Sequence, residues 1–338
     1  MHAKKEKKDR IMFICFIAAA VVLGCLMLLW GQHNSAEQVF EIGFLHFRVS
    51  DQLANDESYV FSESDGEKYG EMLELGKSWR EQAGGIDGSC ATETAAAIFG
   101  EFALYDMPYT FYNNGSDTTV ILLHGYNETV DDAAIAAPWW WDGGYNILIP
   151  QLRGYSDKNQ LTTFGEYEQY DLYDLIRAAG LEESRIIVHG RGTGAAAALL
   201  AAANAEYDCG IDLIVADSVY SDLETLKQRQ LKAQFGLGEI MVGKMLSGIA
   251  KKQLGFELSD VNICAAAASS SVPKLFVCGE SDSFTLPEES RSVYEAAQGV
   301  KELAVIAGAG NRMAYTSSWF GGGEYCAAMD KFIENNLK

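Results

Sequence analysis

The sequence predicts an α/β protein with a mostly parallel central sheet, and three observations support this fold class. From about residue 101 onward, short apolar runs of strand length alternate with helical segments. Each run is continuously apolar, as expected for strands that helices cover on both faces. The stretch Ile186–Ala203, IIVHGRGTGAAAALLAAA, passes from a strand through a glycine-rich turn directly into a helix. The roughly 240 residues from 101 to 338 form one domain that is large enough to bury a core.

The first thirty residues predict a membrane anchor. Residues 1–10, MHAKKEKKDR, form a basic tail, and residues 11–30, IMFICFIAAAVVLGCLMLLW, contain no charged residue and no proline. A helix of twenty residues spans roughly 30 Å, the thickness of the hydrocarbon core of a bilayer. Because basic residues precede this run, we expect a single-pass cell-membrane protein with a cytoplasmic amino terminus and an extracytoplasmic main domain.

A cleaved signal peptide and a lipoprotein site at Val22–Cys25 are the alternatives to an uncleaved anchor. Signal peptides usually have an apolar segment of ~7–15 residues followed by a small-residue cleavage site. The run in this sequence is longer, and it continues past Cys25. The sequence therefore favours the anchor.

The charge and the cysteine pattern exclude several function classes. The 338 residues include 26 Lys and Arg against 47 Asp and Glu, which gives a formal net charge of −21. This charge disfavours nucleic acid and anionic lipid headgroups as partners. The seven cysteines include no C-x-x-C pair, which argues against a zinc site and a dithiol redox site. We therefore expect no nucleic-acid partner, no cofactor and no bound metal.

Residues 31–100 predict a stalk and amino-terminal helices. The polar, acidic segment 31–64 is weakly patterned, with one short strand at FLHFRV, residues 44–49. Apolar residues at helical intervals then predict a helix over residues 66–84, and an Ala-rich segment predicts a second helix over Thr92–Phe99.

The α/β domain is predicted to cover residues 101–338 and to contain an insertion. Seven strands are expected in the segments MPYTFY, TTVILLHG, GGYNILIP, RIIVHG, IDLIVADS, KLFVCGE and ELAVIAG, the first two joined by an Asn-Gly turn. Residues 223–262 interrupt the alternation with a helical pattern that contains six Lys and Arg. We expect this insertion to form a cap over the carboxyl edge of the sheet, where ligands bind in open α/β folds.

Several blocks carry a resemblance to a known family. In chain order they are VILLHGYNET, GYNILIPQLRGYS, TTFGEYEQYDL, IIVHGRGTGAAAAL, VADSVYSDL, VPKLFVCGESDSFTLP and AGAGNRMAYTSS. From about Met107 to Leu337 the chain resembles the α/β-hydrolase superfamily, and more closely the membrane-anchored bacterial serine hydrolases akin to the Bem46 group. The resemblance implies an α/β-hydrolase fold with a helical cap, but the activity must be argued from the site.

The catalytic triad that this resemblance implies is degenerate. The family order is Ser, Asp, His, and the motif G-x-S-x-G places Gly192 at the nucleophile position. Asp282 matches the acid, whereas Asn311 occupies the position of the histidine base. The backbone N–H groups of Tyr126 and Thr193 match the oxyanion hole. Glycine has no nucleophilic side chain, and an asparagine amide is not basic near neutral pH, so two of the three catalytic groups are absent.

No other residue of the sequence offers an evident replacement. The five histidines are His2, His33, His46, His124 and His189, and none of them follows Asp282, where the fold needs a base. Thr193 lies one position after the nucleophile position, so the elbow would turn its hydroxyl away from the substrate.

Three functions follow from this pattern. The first is a membrane-anchored pseudo-hydrolase that binds a small molecule or a protein in the cleft under the cap. The second is a hydrolase of ester, acyl or peptide bonds in which Asp282 positions a water molecule, with an ion attracted by the acidic surface as a further element. The third is a scaffold protein whose stalk and amino-terminal helices make the contacts.

Overall fold

The computed structural model confirms a mostly parallel sheet with helices on both faces and shows that it has eight strands. The strand order is β1-β2-β4-β3-β5-β6-β7-β8. The pairs β1–β2 and β2–β4 are antiparallel, and the remaining pairs are parallel. The strands are Ile86–Ala91 (β1), Asp106–Tyr112 (β2), Thr118–Leu123 (β3), Asn146–Pro150 (β4), Arg185–Arg191 (β5), Ile211–Asp217 (β6), Lys274–Gly279 (β7) and Lys301–Ile306 (β8). The structure describes residues 23, 27–41, 43–44, 63–155, 161–235, 242–315 and 323–337.

Helices connect the strands and cover the sheet. They comprise residues 27–41 (α1), Glu63–Ala83 (α2), Glu93–Phe99 (α3), Val130–Ala133 (α4), Ala137–Asp142 (α5), Glu168–Ala178 (α6), Thr193–Ala203 (α7), Leu223–Phe235 (α8), Lys244–Leu254 (α9), Ile263–Ser269 (α10), Pro287–Ala296 (α11) and Glu324–Asn336 (α12). Short 3-10 helices lie at Glu101–Ala103, Ala134–Ala136 and Leu258–Asp260.

The seven predicted strands and the helices predicted at residues 66–84 and Thr92–Phe99 are confirmed. The sequence missed β1 because IDGSCA is polar and four of its six residues are exposed, as an edge strand permits. The strands on either side of the Asn-Gly turn, β2 and β3, do not pair with each other. Instead β4 lies between them, antiparallel to β2 and parallel to β3.

Two apolar layers hold the helices against the sheet. Val188 and Ile214 of the central strands face the layer that includes α7, whereas Ile187 and Leu213 face the layer that includes α12. Successive side chains of a strand point to opposite faces, so a strand with both faces covered must be apolar at every position. This packing fixes the strand ends at the carboxyl edge of the sheet, where the loops of the candidate site begin.

The described residues of the insertion predicted at residues 223–262 are helical and form α8, α9 and a 3-10 turn, a segment that we call the cap. A β-bridge between Asp222 and Asn262 closes its base. Arg229 of α8 donates hydrogen bonds to the Phe284 carbonyl and, at 2.6 Å, to Glu289, and thereby ties the cap to the loop after β7.

The amino-terminal helix α1 packs against the cap side of the domain. Its residues Val39 and Phe40 are buried in the same apolar layer as α7, together with Phe44. Residues 31–41, part of the predicted stalk, are therefore helical. Of the predicted strand FLHFRV the structure describes only Phe44, which is helical.

The predicted membrane span lies largely outside the described residues, which include only residues 23 and 27–30 of it. Within the part that is described, none of the helices combines the length and the apolar character needed to cross a bilayer. The anchor at residues 11–30 and the cytoplasmic tail at residues 1–10 stay predictions.

The cysteines of the described residues are free thiols. Cys90, Cys209, Cys278 and Cys326 are buried, and Cys264 is half-buried. Burial raises the pKa of Cys90, Cys209 and Cys278 to about 12, so these three thiols are protonated at neutral pH.

Candidate functional site

The turn between β5 and α7 has the geometry of a nucleophile elbow. Strand β5 ends at Arg191, Gly192 has φ +51° and ψ −109°, and α7 begins at Thr193. The Gly192 N–H donates to the Asp217 carbonyl at the end of β6, over 2.8 Å. This left-handed backbone is strained for any residue with a side chain, and glycine adopts it at low cost. The sharp turn therefore forms at Gly192 without a nucleophilic side chain.

The flanking glycines make this turn sterically possible. A Cβ atom on Gly190 would lie 2.5 Å from the backbone of Gly194 and Ala195, and one on Gly194 would lie 2.6 Å from the Leu123 carbonyl oxygen. A Cβ atom on Gly192 would meet nothing closer than the Gly125 Cα, at 3.9 Å. The position that lacks a nucleophile therefore has room for a side chain, whereas its two neighbours in the motif have none.

One cavity of about 60 Å³ connects four of the five site residues that the sequence predicted. Gly192, Asn311, Tyr126 and Thr193 line it, beneath residues of the cap. The fifth, Asp282, lies directly beside the wall of this cavity. Its Oδ1 accepts hydrogen bonds from the backbone N–H groups of two lining residues, Phe284 at 2.8 Å and Thr285 at 2.9 Å.

Asp282 is buried, and its second oxygen is unpaired. Among the described residues, only Asp282 Oδ2, Arg229 Nε and Glu289 Oε1 are buried side-chain atoms without a hydrogen-bond partner. Burial raises the pKa of Asp282 to about 6, although the N–H groups of Thr285 and Phe284 oppose the shift.

The loop that carries Asn311 is held against the Asp282 loop. The Ser281 N–H donates to the Ala309 carbonyl over 2.8 Å, and the Asp282 N–H donates to the Gly279 carbonyl. Asp282 and Asn311 therefore lie on adjacent loops.

Backbone strain is concentrated around the same cavity. In the described part of the chain, the non-glycine residues with a positive φ are Asn127, Phe164, Ser218 and Arg312, with φ between 51° and 60°. All four line the cavity. Such conformations cost about 1–3 kcal/mol each and persist where the surrounding structure imposes them, most often at functional sites.

A buried charge network, which the sequence did not predict, lies next to Gly192 and Asn311. Glu128 Oε2 accepts from Arg191 at 2.8 Å and from the Gly125 N–H at 2.7 Å, while Glu128 Oε1 pairs with Arg312 at 3.0 Å. Arg191 directly precedes Gly192, and Arg312 directly follows Asn311. The sequence signal was the presence of an arginine beside each of the positions 192 and 311, but nothing in the sequence indicated Glu128 as their common partner.

The network continues to helix α2. Arg191 donates to the Tyr69 hydroxyl at 2.8 Å, and that hydroxyl donates to Asp132. Burial acts to raise the pKa of Asp132, but Arg312 and Arg191 outweigh it, so this pKa is lowered. The carboxylate of Glu128 thus holds both Arg191 and Arg312.

Neither His124 nor His189 can act as the missing base. The Leu152 N–H donates to His124 Nε2 at 3.0 Å, and Trp140 Nε1 donates to His189 Nδ1 at 3.0 Å, so each available lone pair is used in the core. Burial lowers both pKa values, that of His189 to about 3 with a contribution from Arg191. His33 forms an exposed pair with Glu37 on α1, and His2 and His46 lie outside the described residues.

Comparison with known proteins supports the fold and leaves the activity open. No family model matches the chain. The chain is 25% identical over 236 residues to the uncharacterized protein YqkD of Bacillus subtilis strain 168, a match that covers 68% of this chain and 76% of that protein.

Solved structures give the same fold at low identity. Esterase Pf2001 of Pyrococcus furiosus superimposes with a TM-score of 0.54 at 21% identity, covering 75% of this chain and 93% of that one. A bromoperoxidase of Bacillus anthracis gives a TM-score of 0.51 at 14% identity, covering 74% of this chain and 100% of that one. The chain therefore has the α/β-hydrolase fold.

The elbow geometry predicts a strict order of tolerance among its glycines. We expect Gly190→Ala to lower the free energy of unfolding by about 3 kcal/mol or more, because its Cβ collides with backbone. The Cβ of Gly192→Ala comes no closer than 3.9 Å to another atom, so this change should cost only the backbone strain, about 1–2 kcal/mol. Urea unfolding checks both, with Gly248→Ala of α9, where a Cβ also meets nothing, as the control. Equal losses at Gly190 and Gly192 would contradict the tight-turn interpretation.

Asp282 predicts a pH dependence of stability. Its folded pKa of about 6 lies above the ordinary 3.8, so the folded state holds the proton more tightly than the unfolded chain. This contribution to stability is complete below about pH 4 and is lost as the pH rises through about 6. Asp282→Asn should therefore gain stability relative to the wild type, by about 2–3 kcal/mol, between pH 4 and pH 8. Thermal unfolding at pH 4 and pH 8 measures this change, with Asp330→Asn, at an exposed position, as the control substitution. A stability difference between Asp282→Asn and the wild type that is the same at both pH values would refute the account.

Proposed function

We propose that this protein is a non-catalytic member of the α/β-hydrolase fold that binds a ligand in the cavity at the elbow. The observation that carries the proposal is the replacement of nucleophile and base, by Gly192 and Asn311, within a cavity whose strained backbone is intact. Loss of the nucleophile or of the base costs about 10⁶ in rate in a serine hydrolase. A site that lacks both groups but keeps its shape is suited to binding.

The chemistry of the cavity supports binding of a carbonyl-containing ligand. Thr193 begins α7, an eleven-residue helix whose amino-terminal dipole favours negative charge at the elbow. The amide side chain of Asn311 can both donate and accept a hydrogen bond, whereas a histidine would be needed to accept a proton. These groups can hold an oxygen atom without supplying a base that activates water.

The alternative function is hydrolysis by an unorthodox mechanism that uses Asp282. The unpaired Oδ2 and a pKa of about 6 are the properties that favour it, because a carboxylate with this pKa can accept a proton near neutral pH. Against it, Oδ1 is committed to the Phe284 and Thr285 N–H groups, and these two residues form the cavity wall beside Asp282.

The cellular setting belongs to the same proposal. Residues 11–30 anchor the chain in the cell membrane, residues 1–10 lie in the cytoplasm, and the α/β domain with its cap faces the outside. The uninterrupted apolar run, with basic residues before it, supports this topology.

Hydrolysis of short-chain p-nitrophenyl esters tests the non-catalytic assignment. We expect the full chain to show the rate of the buffer blank and the Gly192→Ser/Asn311→His variant to exceed it by at least about 100-fold, since an intact triad is worth about 10⁶. The reason is geometric: the elbow, the free space at Gly192 and the Asp282 oxygen are all in place.

Two controls make the result interpretable. The triple variant that adds Asp282→Ala should lose most of the gained rate, because the new histidine would then lack its orienting acid. Activity of the wild-type chain that falls on Asp282→Ala would overturn the non-catalytic assignment and favour the Asp282 mechanism.

A further inference from the structure

A second, apolar cavity of about 90 Å³ adjoins the elbow cavity. Both cavities are lined by Tyr126, Phe164, Leu226 and Phe284, so these four side chains form a shared boundary. The far wall of this cavity comes largely from the cap and is mostly aliphatic, with Leu223, Leu231 and Leu246 each no more than 2% exposed. Lys227 and Gln230 of α8 also line it. Cavities lined mainly by apolar side chains can bind apolar ligands.

The amino-terminal helix supplies the remaining wall. Val39, Gly43 and Phe44 line the apolar cavity opposite the cap. The Phe44 carbonyl accepts a hydrogen bond from the Thr162 N–H over 3.1 Å, which holds the end of this segment beside the loop of Phe164.

A row of aromatic rings runs from α1 to the elbow. Phe40 stacks on Phe44 with ring centroids 4.9 Å apart, Phe44 meets Phe164 edge-on at 5.2 Å, and Phe164 stacks on Tyr126 at 5.3 Å. Phe164 has φ +55°, and its carbonyl accepts a hydrogen bond from the Tyr220 hydroxyl. The strained residue is thus held where its ring separates the polar cavity from the apolar one.

The beginning of α1 carries apolar side chains that the domain leaves uncovered. Met27, Leu28, Leu29 and Trp30 are between 44% and 68% exposed, whereas Ala36, Val39 and Phe40 in the same helix are buried. The helix therefore leads from exposed apolar residues, which directly follow the apolar run 11–26, to the wall of the apolar cavity.

We propose that the two cavities together bind one amphiphile with a long acyl chain, the carbonyl group at the elbow and the chain between the cap and α1. This inference rests on the proposed function and names its ligand class. The polar cavity offers Thr193 and Asn311 to the oxygen atoms, and the apolar cavity offers leucine and phenylalanine side chains to the methylene groups. The uncovered apolar start of α1 directs the chain toward a source in the bilayer.

A chain-length series on the full-length protein, held in amphipol, tests the proposal. Saturated fatty acids of 4 to 16 carbons and their methyl esters compete with the fluorescent polyene fatty acid parinaric acid. We expect affinity to rise about fourfold per added methylene until the apolar cavity is filled, as burial of each methylene predicts. Tighter binding of the acids identifies a free fatty acid, and equal binding of the esters identifies an acyl ester lipid.

A matched pair of variants on α8 locates the chain. Leu231→Trp fills the apolar cavity and should weaken binding of the 12-carbon ligand by at least about tenfold, since it removes room for several methylene groups. Ala233→Trp adds the same side chain on the exposed face of α8 and should leave binding unchanged. Thermal unfolding checks that both variants are folded. If Leu231→Trp does not fold, the chain-length series on the wild-type chain still tests the proposal.

Two results would overturn the inference: an affinity that does not depend on chain length, or equal losses for Leu231→Trp and Ala233→Trp. Both results can be distinguished from a failure of the non-catalytic assignment. If the wild-type chain cleaves the methyl esters, the non-catalytic assignment fails, but the chain-length series still tests whether the acyl chain binds in the apolar cavity. If affinity does not change with chain length but the Gly192→Ser/Asn311→His variant hydrolyses short esters, only the binding of an acyl chain in the apolar cavity is refuted.

Discussion

The close approach of β5, α7 and the end of β3 is the constraint on which the site depends. Gly190 and Gly194 allow backbone to lie where a Cβ atom would come within 2.6 Å of main-chain atoms. With these two contacts fixed, the chain can join strand to helix only through a left-handed residue, and that residue is Gly192. The turn is therefore set by packing of the sheet and does not require a side chain at residue 192.

The charged residues around the elbow add a second constraint. Glu128 is 4% exposed and bonds to Arg191, Arg312 and the Gly125 N–H. It thus links the loop after β3, the elbow and the Asn311 loop. Removing one partner of a buried charge pair typically costs about 3–5 kcal/mol. A network of this kind stabilises the walls of the cavity in one arrangement, as the ligand binding that we propose requires.

Much of the fold could be predicted from the sequence because both faces of the central strands are buried. That burial demands continuous apolar runs such as those of β3 and β7, and the helical insertion at residues 223–262 stands out because it breaks their alternation. Strand β1 escaped prediction because an edge strand can be polar. The motif positions of Gly192, Asp282 and Asn311 were readable because each lies in a local block with its own glycine pattern.

The features that the sequence could not supply depend on residues distant along the chain. Glu128 meets Arg312 across the sheet edge, and Phe44 of the amino-terminal segment meets Phe164. Positive φ angles at Phe164 and Ser218 have no sequence signature, because neither residue favours the left-handed region. The apolar cavity arises only when α1 and the cap enclose it, and the pattern of neither segment indicates the other as its partner.

The most direct test of the account is labelling of the full-length chain with a serine-reactive fluorophosphonate, followed by intact and peptide mass spectrometry. The reagent forms a covalent bond with a hydroxyl that an adjacent base has activated. We expect the wild-type chain to remain unlabelled and the Gly192→Ser/Asn311→His variant to gain one label at residue 192. A label on the wild-type chain, at Thr193, Ser218 or any other residue lining the elbow cavity, would show an activated nucleophile and contradict the account.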